Sequence, residues 1–250
     1  MIIRNDVQLA GLQRTGKLVA QVLLAMQAHA RPGMSTAELD EYGGQLLTRA
    51  GAESAPRSCY EFPGHTCISI NEEAAHGIPG QRVMRAGDLV NIDVSASLDG
   101  YFADTGGSFV LPGIDADHLL KHRLCAAAIQ ARDAGIAAVR TGQQLNIIGR
   151  LIERTINSAG FRNVRNLCGH GTGAALHEEP TMRNYHDPRD NQMLQEGQVI
   201  TIEPFLSTNV SRVHEANDGW TLLGRPSSLF AQHEHTLVVR QGAPLIITTP

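Results

Sequence analysis

An α+β fold built on a duplicated antiparallel sheet, with helices packed on its outer face, is what this 250-residue sequence predicts. Three observations lead there. A helix pair followed by strands occurs twice along the chain, residue matches recur at a nearly fixed spacing, and a two-residue hairpin signal sits inside the first strand-rich stretch. With 42% hydrophobic and 18% charged residues, the chain is long enough to bury one large core or two small ones.

The first helix is expected from about Val7 to Ala30, where apolar residues recur at near-helical spacing. Ser35-Thr36-Ala37-Glu38 reads as a capping box, since Ser35 and Glu38 can each satisfy a backbone donor of the other, and it opens a second helix that stops at Gly51. From Cys67 the texture turns to strand, first "CISI" and then "DLVNIDVSASLDGYFADTGGSFVL", in which Asp99-Gly100 is the turn. Helices return from about Asp115 to Val139 and from about Leu145 to Ala159. "QVITIEPFL" and "LFAQHEHTLVV" read as strands of the last third.

The duplication shows in particular residues. Arg31, Gly33, Ala50 and Gly51 are matched 109 positions later by Arg140, Gly142, Ala159 and Gly160. "AGDLVNID", ending at Asp93, is echoed 110 positions later by "EGQVITIE", ending at Glu203. Asp93 and Glu203 then occupy equivalent places in two half-domains of about 1–112 and 113–250, and would face each other across a pseudo-two-fold axis. No linker divides the halves, so residues 1–250 are expected to form a single domain around a shared core.

Charge and composition exclude several classes. The formal net charge of −4, the pI near 6.2 and the absence of a Lys/Arg run argue against nucleic-acid and membrane-surface partners. "LVAQVLLAM" is far shorter than the roughly 20 apolar residues needed to cross a bilayer. Met1 to Asp6 carries no secretory signal arrangement, which makes the cytoplasm the expected compartment. Cys59, Cys67, Cys125 and Cys168 show no CxxC spacing and are expected to be free thiols.

Candidate chemistry starts at the hairpin. With Asp99-Gly100 as the loop, Asp93 lies opposite Gly106, and Asp104 is its diagonal neighbour on the same face, within about 7–8 Å. Val90, Ile92 and Val94 share the other face, the one expected to be buried against helices. Glu203 ends a strand before Pro204, while Glu234 sits in mid-strand beside Thr236 and Val238, where an unpaired carboxylate is costly. The stretch "CGHGTGAALHEEP" is neither a zinc-protease helix, for want of a second histidine in register, nor a phosphate loop, for want of Lys-Ser/Thr. His170 and His177 would lie on opposite faces of a straight strand, so they converge only if Gly171 and Gly173 bend the chain. His76 sits in a similar loop, "AAHGIPG". Such an oxygen-rich set with histidine suits divalent ions such as Mn, Fe or Co, and two such ions about 3.5–4 Å apart would activate water and clamp a carbonyl.

The order "HGIP", "NIDV" with a second Asp eleven residues on, "GHGTG…HEEP", "TIEP" and "QHEHTLVV" closely resembles type I methionine aminopeptidases of the short bacterial form, which have the pita-bread fold. The resemblance runs over nearly the whole chain. It implies two divalent metal ions (Co, Mn, Fe, Zn or Ni) held by Asp93, Asp104, His170, Glu203 and Glu234, with Asp104 and Glu234 bridging. It implies that His76 and His177 contact the scissile peptide, that Glu203 shuttles the proton, and that the methionine side chain enters a pocket near Phe62, Cys67, His76 and Trp220. The implied substrates are the N-terminal methionines of peptides and nascent chains with small second residues, met by a monomer in transient contact with the ribosome. Cys59, Thr172 and Leu176 depart from the family pattern, so an altered first-residue preference is expected. A proline-specific peptidase of the same fold shares the ligand set, and a metal-free binding protein of that fold is the non-enzymatic alternative.

Overall fold

A computed structural model describes residues 1–250. The expected N-terminal helices form as α1 (Asp6–His29) and α2 (Thr36–Arg49). The Asn5 side chain accepts from the Gln8 N–H to cap α1, and Ser35 and Glu38 make the reciprocal capping box of α2. β1 (Glu53–Ser54) and a short helix, α3 (Ala55–Tyr60), follow. A helix of one and a half turns is too short for periodicity to reveal, and no sequence signal pointed to α3.

β2 (Cys67–Ile70) and β3 (Glu73–Ala75) lead into the long hairpin of β4 (Leu89–Leu98) and β5 (Tyr101–Val110). Its register is the expected one: Leu98 pairs with Tyr101 and Asp93 with Gly106. Asp99 and Gly100 both have positive φ, 54° and 79°, as a two-residue turn that matches strand twist requires. β5 lies along one edge of β4, and β1 and β2 along the other.

The helices α4 (His118–Ala138) and α5 (Leu145–Ser158) open the second half of the chain. After β6 (Arg162–Asn163), β7 (Cys168–Gly171), β8 (Glu178–Arg183) and β9 (Val199–Ile202) come β10 (Phe205–Ser207), β11 (His214–Glu215) and β12 (Leu222–Leu223). β13 (Phe230–Gln232), β14 (His235–Val238) and β15 (Leu245–Ile246) end the chain. Their sheets run β15-β14-β9-β7-β8, β13-β10-β6 and β11-β12-β3.

Of the two stretches read as strand in the last third, the first ends where expected, at Pro204, and the second is broken. "QVITIEPFL" divides at Glu203-Pro204 into β9, which pairs with β14, and β10, which pairs with β13. Pro204 has no N–H to give a ladder, so the chain can change sheets there. "LFAQHEHTLVV" divides at His233-Glu234 into β13 and β14. At that break the Glu234 N–H donates to the Gly106 carbonyl at 2.9 Å, and His233 bridges to Gly107. The backbone at the break is therefore satisfied by β5 rather than by its own sheet.

Helices cover the outer faces of the strands. Leu12, Val19 and Met26 of α1 pack on Ile68, Val90, Ile92 and Val94, while Leu124 and Ala128 of α4 and Ile148 and Ile152 of α5 pack on Ile200, Ile202 and Leu237. Each such side chain contributes about 1.5–3 kcal/mol by leaving water. Strand alternation then turns Asp93 and Asp104 to the opposite, inner face. All four cysteines are free. No helix is long and apolar enough to cross a membrane.

Candidate active site

The inner face holds an acidic floor. Asp104, Glu203 and Glu234 are 6%, 7% and 1% exposed, and no lysine or arginine pairs with any of them. Burial holds the Asp93, Glu203 and Glu234 carboxyls well above the usual carboxylate range, and the charge of Asp104 raises all three further. The Asp104 Oδ1 and Glu234 Oε1 atoms are buried without a hydrogen-bond partner. A group of like charges with orphaned oxygens is unfavourable alone and calls for a cation.

His170 completes the floor from β7. Its Nε2 stands 3.4 Å from Glu203 Oε1 and 3.8 Å from Asp104 Oδ2. Its Nδ1 donates to the Gly171 carbonyl at 2.8 Å, which leaves the Nε2 lone pair facing the acids, the tautomer a metal ligand needs. Burial, followed by His177, pushes the His170 ring down to about 4, so it is neutral and ready to ligate at neutral pH. Donor atoms of Asp104, His170 and Glu234 all lie within 4.8 Å of one another, a spacing that a single ion can satisfy. The donor set fits divalent metal.

Residues without a sequence signature orient this set. Thr201 Oγ1 donates to Glu203 Oε1 at 2.9 Å and accepts from the His170 N–H at 3.0 Å. Gln232 Nε2 donates to Glu234 Oε2 at 3.0 Å, while its own Oε1 accepts from Asn91 at 3.0 Å. Thr236 Oγ1 donates to the Asp104 carbonyl at 2.7 Å. Gly106 makes room for this network, because a Cβ there would stand 2.5 Å from Gln232 Oε1. The alternation of polar residues at 232, 234 and 236 was the one available hint to Gln232 and Thr236; Thr201 gave none.

Above the floor lies a cavity of about 770 Å³, lined by His76, His177, Phe62, Cys67 and Trp220 among others. His76 adopts a left-handed backbone, φ 54°, an uncommon conformation for a non-glycine residue that clusters at functional sites. The chain does bend after β7, and the His170 and His177 rings meet edge to face with centroids 4.3 Å apart. Burial lowers both His76 and His177, so both rings are neutral hydrogen-bonding groups. Phe62 and Trp220 form an edge-to-face wall, centroids 5.2 Å apart, and Cys67 joins the lining with its thiol raised by burial and then by Asp93. Glu178 fixes the loop between β7 and β8: its Oε1 accepts from the Ala174 and Ala175 N–H groups, and its Oε2 pairs with the Met1 ammonium.

Of Cys59, Thr172 and Leu176, the positions expected to alter first-residue preference, Leu176 alone is among the residues lining the cavity. Thr172 is buried with its hydroxyl donating to the Ala175 carbonyl, and Cys59 is exposed.

The signature of metallopeptidase family M24 matches residues 10–241. The chain belongs to this family. Over 250 residues this M24 chain is 46% identical to methionine aminopeptidase 2 of Bacillus subtilis, covering 99% of each sequence. It is 34% identical to the methionine aminopeptidase of Escherichia coli K12, over 98% of this chain and 93% of that one. The crystal structure of methionine aminopeptidase from Rickettsia prowazekii superposes with a TM-score of 0.94 at 32% identity, over the full length of both. Prolidase from Pyrococcus furiosus shares the pita-bread fold, with a TM-score of 0.78 at 20% identity, and this chain covers 66% of it.

Proposed function

We infer that this M24 chain is a divalent-metal-dependent aminopeptidase that removes the initiator methionine from proteins. The observation that carries the inference is the buried acidic floor with orphaned Asp104 and Glu234 oxygens beneath a Phe62–Trp220 wall. It lies in a chain similar over its full length to methionine aminopeptidases. The resemblance to prolidase extends to fold alone, which disfavours the Xaa-Pro alternative, and a complete donor set disfavours a metal-free binding protein.

Asp93, Asp104, His170, Glu203 and Glu234 are assigned as ligands of two divalent ions. When bound, the ions supply Lewis-acid polarisation of the scissile carbonyl and lower the pKa of water. Glu203 takes the proton of the attacking water and returns it to the leaving amine; Thr201 already occupies its Oε1, leaving Oε2 for the proton. His177 and His76, both neutral, hydrogen-bond the scissile peptide and the oxyanion that develops on it. Phe62, Cys67 and Trp220 receive the methionine side chain, a residue whose flexible thioether suits an aromatic wall. A small second residue, action as a monomer on nascent chains near the ribosome, a cytoplasmic location, and one domain made of halves 1–112 and 113–250 complete the reading. The division into two halves is supported by the repeated helix-pair and strand order.

Metal-loaded protein incubated with Met-Ala-Ser, Met-Ile-Ser and Xaa-Pro peptides tests it, with Asp104→Ala as control. Methionine release from Met-Ala-Ser, weak release from Met-Ile-Ser and an inactive Asp104→Ala variant are expected. Cleavage of the Xaa-Pro peptide alone would overturn the assignment, as would inactivity with Mn, Fe and Co alike.

A further inference from the structure

His177 carries a contact that the chemistry described so far leaves unused. The hydroxyl of Tyr60, the last residue of α3, lies 2.6 Å from His177 Nδ1, although 117 positions separate the two in sequence. The rings are tilted by 37° with centroids 5.4 Å apart. Both side chains line the cavity, so the bond reaches over it from α3 to the loop between β7 and β8.

We propose that Tyr60 is a positioning residue for His177, its hydroxyl donating to Nδ1 and thereby fixing the imidazole with its proton on Nε2. This rests on the reading of His177 as a group that contacts substrate. Burial raises the Tyr60 phenol above its ordinary value, so it keeps its hydrogen at neutral pH; the hydroxyl has no other hydrogen-bond partner in the protein, and that hydrogen is available to the Nδ1 lone pair of a neutral imidazole. Nε2 then bears the hydrogen, and it makes no hydrogen bond within the protein, which leaves it to a peptide carbonyl.

Other contacts leave this choice open. Glu178 pins the backbone through the Ala174 and Ala175 N–H groups, and buried Leu176 anchors the loop from within. His170 meets the His177 ring edge to face and restricts its plane. None of these contacts touches Nδ1. Without the phenol, the His177 ring is free to place its proton on either nitrogen, and only one tautomer donates from Nε2.

Three variants and one spectrum test the proposal: Tyr60→Phe, His177→Ala, the double variant, and the ring ¹⁵N resonances of histidine-labelled, zinc-loaded protein. Tyr60→Phe keeps the ring packing and is expected to lower kcat on Met-Ala-Ser about three- to tenfold, the size of one hydrogen bond, with KM within about twofold. The same substitution in the His177→Ala background is expected to change kcat by less than about twofold, because the partner is gone. The wild-type spectrum is expected to show His177 protonated at Nε2, and Tyr60→Phe to show averaged tautomers. An equal loss in both backgrounds, or an unchanged His177 spectrum in Tyr60→Phe, would overturn the positioning role. Full activity of His177→Ala would instead overturn the substrate-contact reading on which it rests; loss in His177→Ala with an unaffected Tyr60→Phe would overturn the role of Tyr60 alone.

Discussion

The β4–β5 hairpin and the two corners at Glu203 and Glu234 deliver carboxylates to the same floor by different means. In the hairpin the turn does the work: once Asp99 and Gly100 take positive φ, every pair follows, and Asp93 and Asp104 share a face. At the corners no local turn sets the position. Glu203 and Glu234 sit where the chain leaves one sheet for another, and their places depend on contacts made far away in sequence. Local geometry makes a donor robust to change elsewhere; long-range packing makes it sensitive to a methyl group.

The largest expected effect does not distinguish the two regions. Asp104→Ala and Glu234→Ala each remove a carboxylate proposed to hold metal, so each should lower kcat/KM at least about a thousandfold, several kcal/mol of lost charge stabilisation. The regions separate at the next shell. Gln232→Leu withdraws the amide that holds Glu234 and should weaken metal affinity about 10- to 100-fold by titration, leaving the hairpin ladder untouched. Gly106→Ala places a methyl against Gln232 Oε1 and should cost about 1–3 kcal/mol of stability together with metal affinity. Gly100→Ala strains only the turn, with nothing within 4 Å of the new methyl. About 1–2 kcal/mol should be lost in denaturant unfolding with metal affinity unchanged. Equal effects of Gly100→Ala and Gly106→Ala on metal affinity would erase the distinction.

The hairpin and the strand end at Pro204 are legible in the sequence, whereas the change of sheet at the corners is not, for the same physical reason. Asp99-Gly100 and the Ser35–Glu38 capping box are local, and their consequences can be counted along the chain. "LFAQHEHTLVV" keeps its alternation straight through His233-Glu234, so nothing in the pattern announces the change of sheet; the Gly106 carbonyl that receives the Glu234 N–H is 128 positions away. Gly106 itself looks like a strand-weakening residue until Gln232 is seen beside it. The resemblance in motif order pointed to Asp104, His170 and Glu234, whose donor atoms lie together, whereas Thr201, Gln232 and Tyr60 act through contacts that motifs do not encode. Cys59, singled out by its difference, is exposed, and its neighbour Tyr60 makes the bond.

The protonation state of the metal-free site gives a pH signature. Asp93, Glu203 and Glu234 have folded pKa values raised above unfolded values of 3.8 and 4.5, so the folded state holds protons that the unfolded chain releases. Their contribution is present at low pH and is lost as pH rises toward the raised values. His170, His233 and His235 are depressed from 6.5 to about 4, so the stability they contribute is present above 6.5 and lost as pH falls toward 4. Above pH 6.5 the histidine contribution is complete, so any further fall in the stability of the metal-free protein with rising pH comes from the three carboxylates. Metal should reverse that slope, because the ions bind the ionised carboxylates.

Calorimetric titration of Mn(II) into metal-free protein near neutral pH, repeated in buffers of different ionisation enthalpy, tests the metal floor most directly. The expected result is binding that releases protons, approaches two ions per chain, raises the midpoint of thermal unfolding and is lost in Asp104→Ala. Binding without proton release, or affinity unchanged by Asp104→Ala, would contradict an acidic floor built to hold metal.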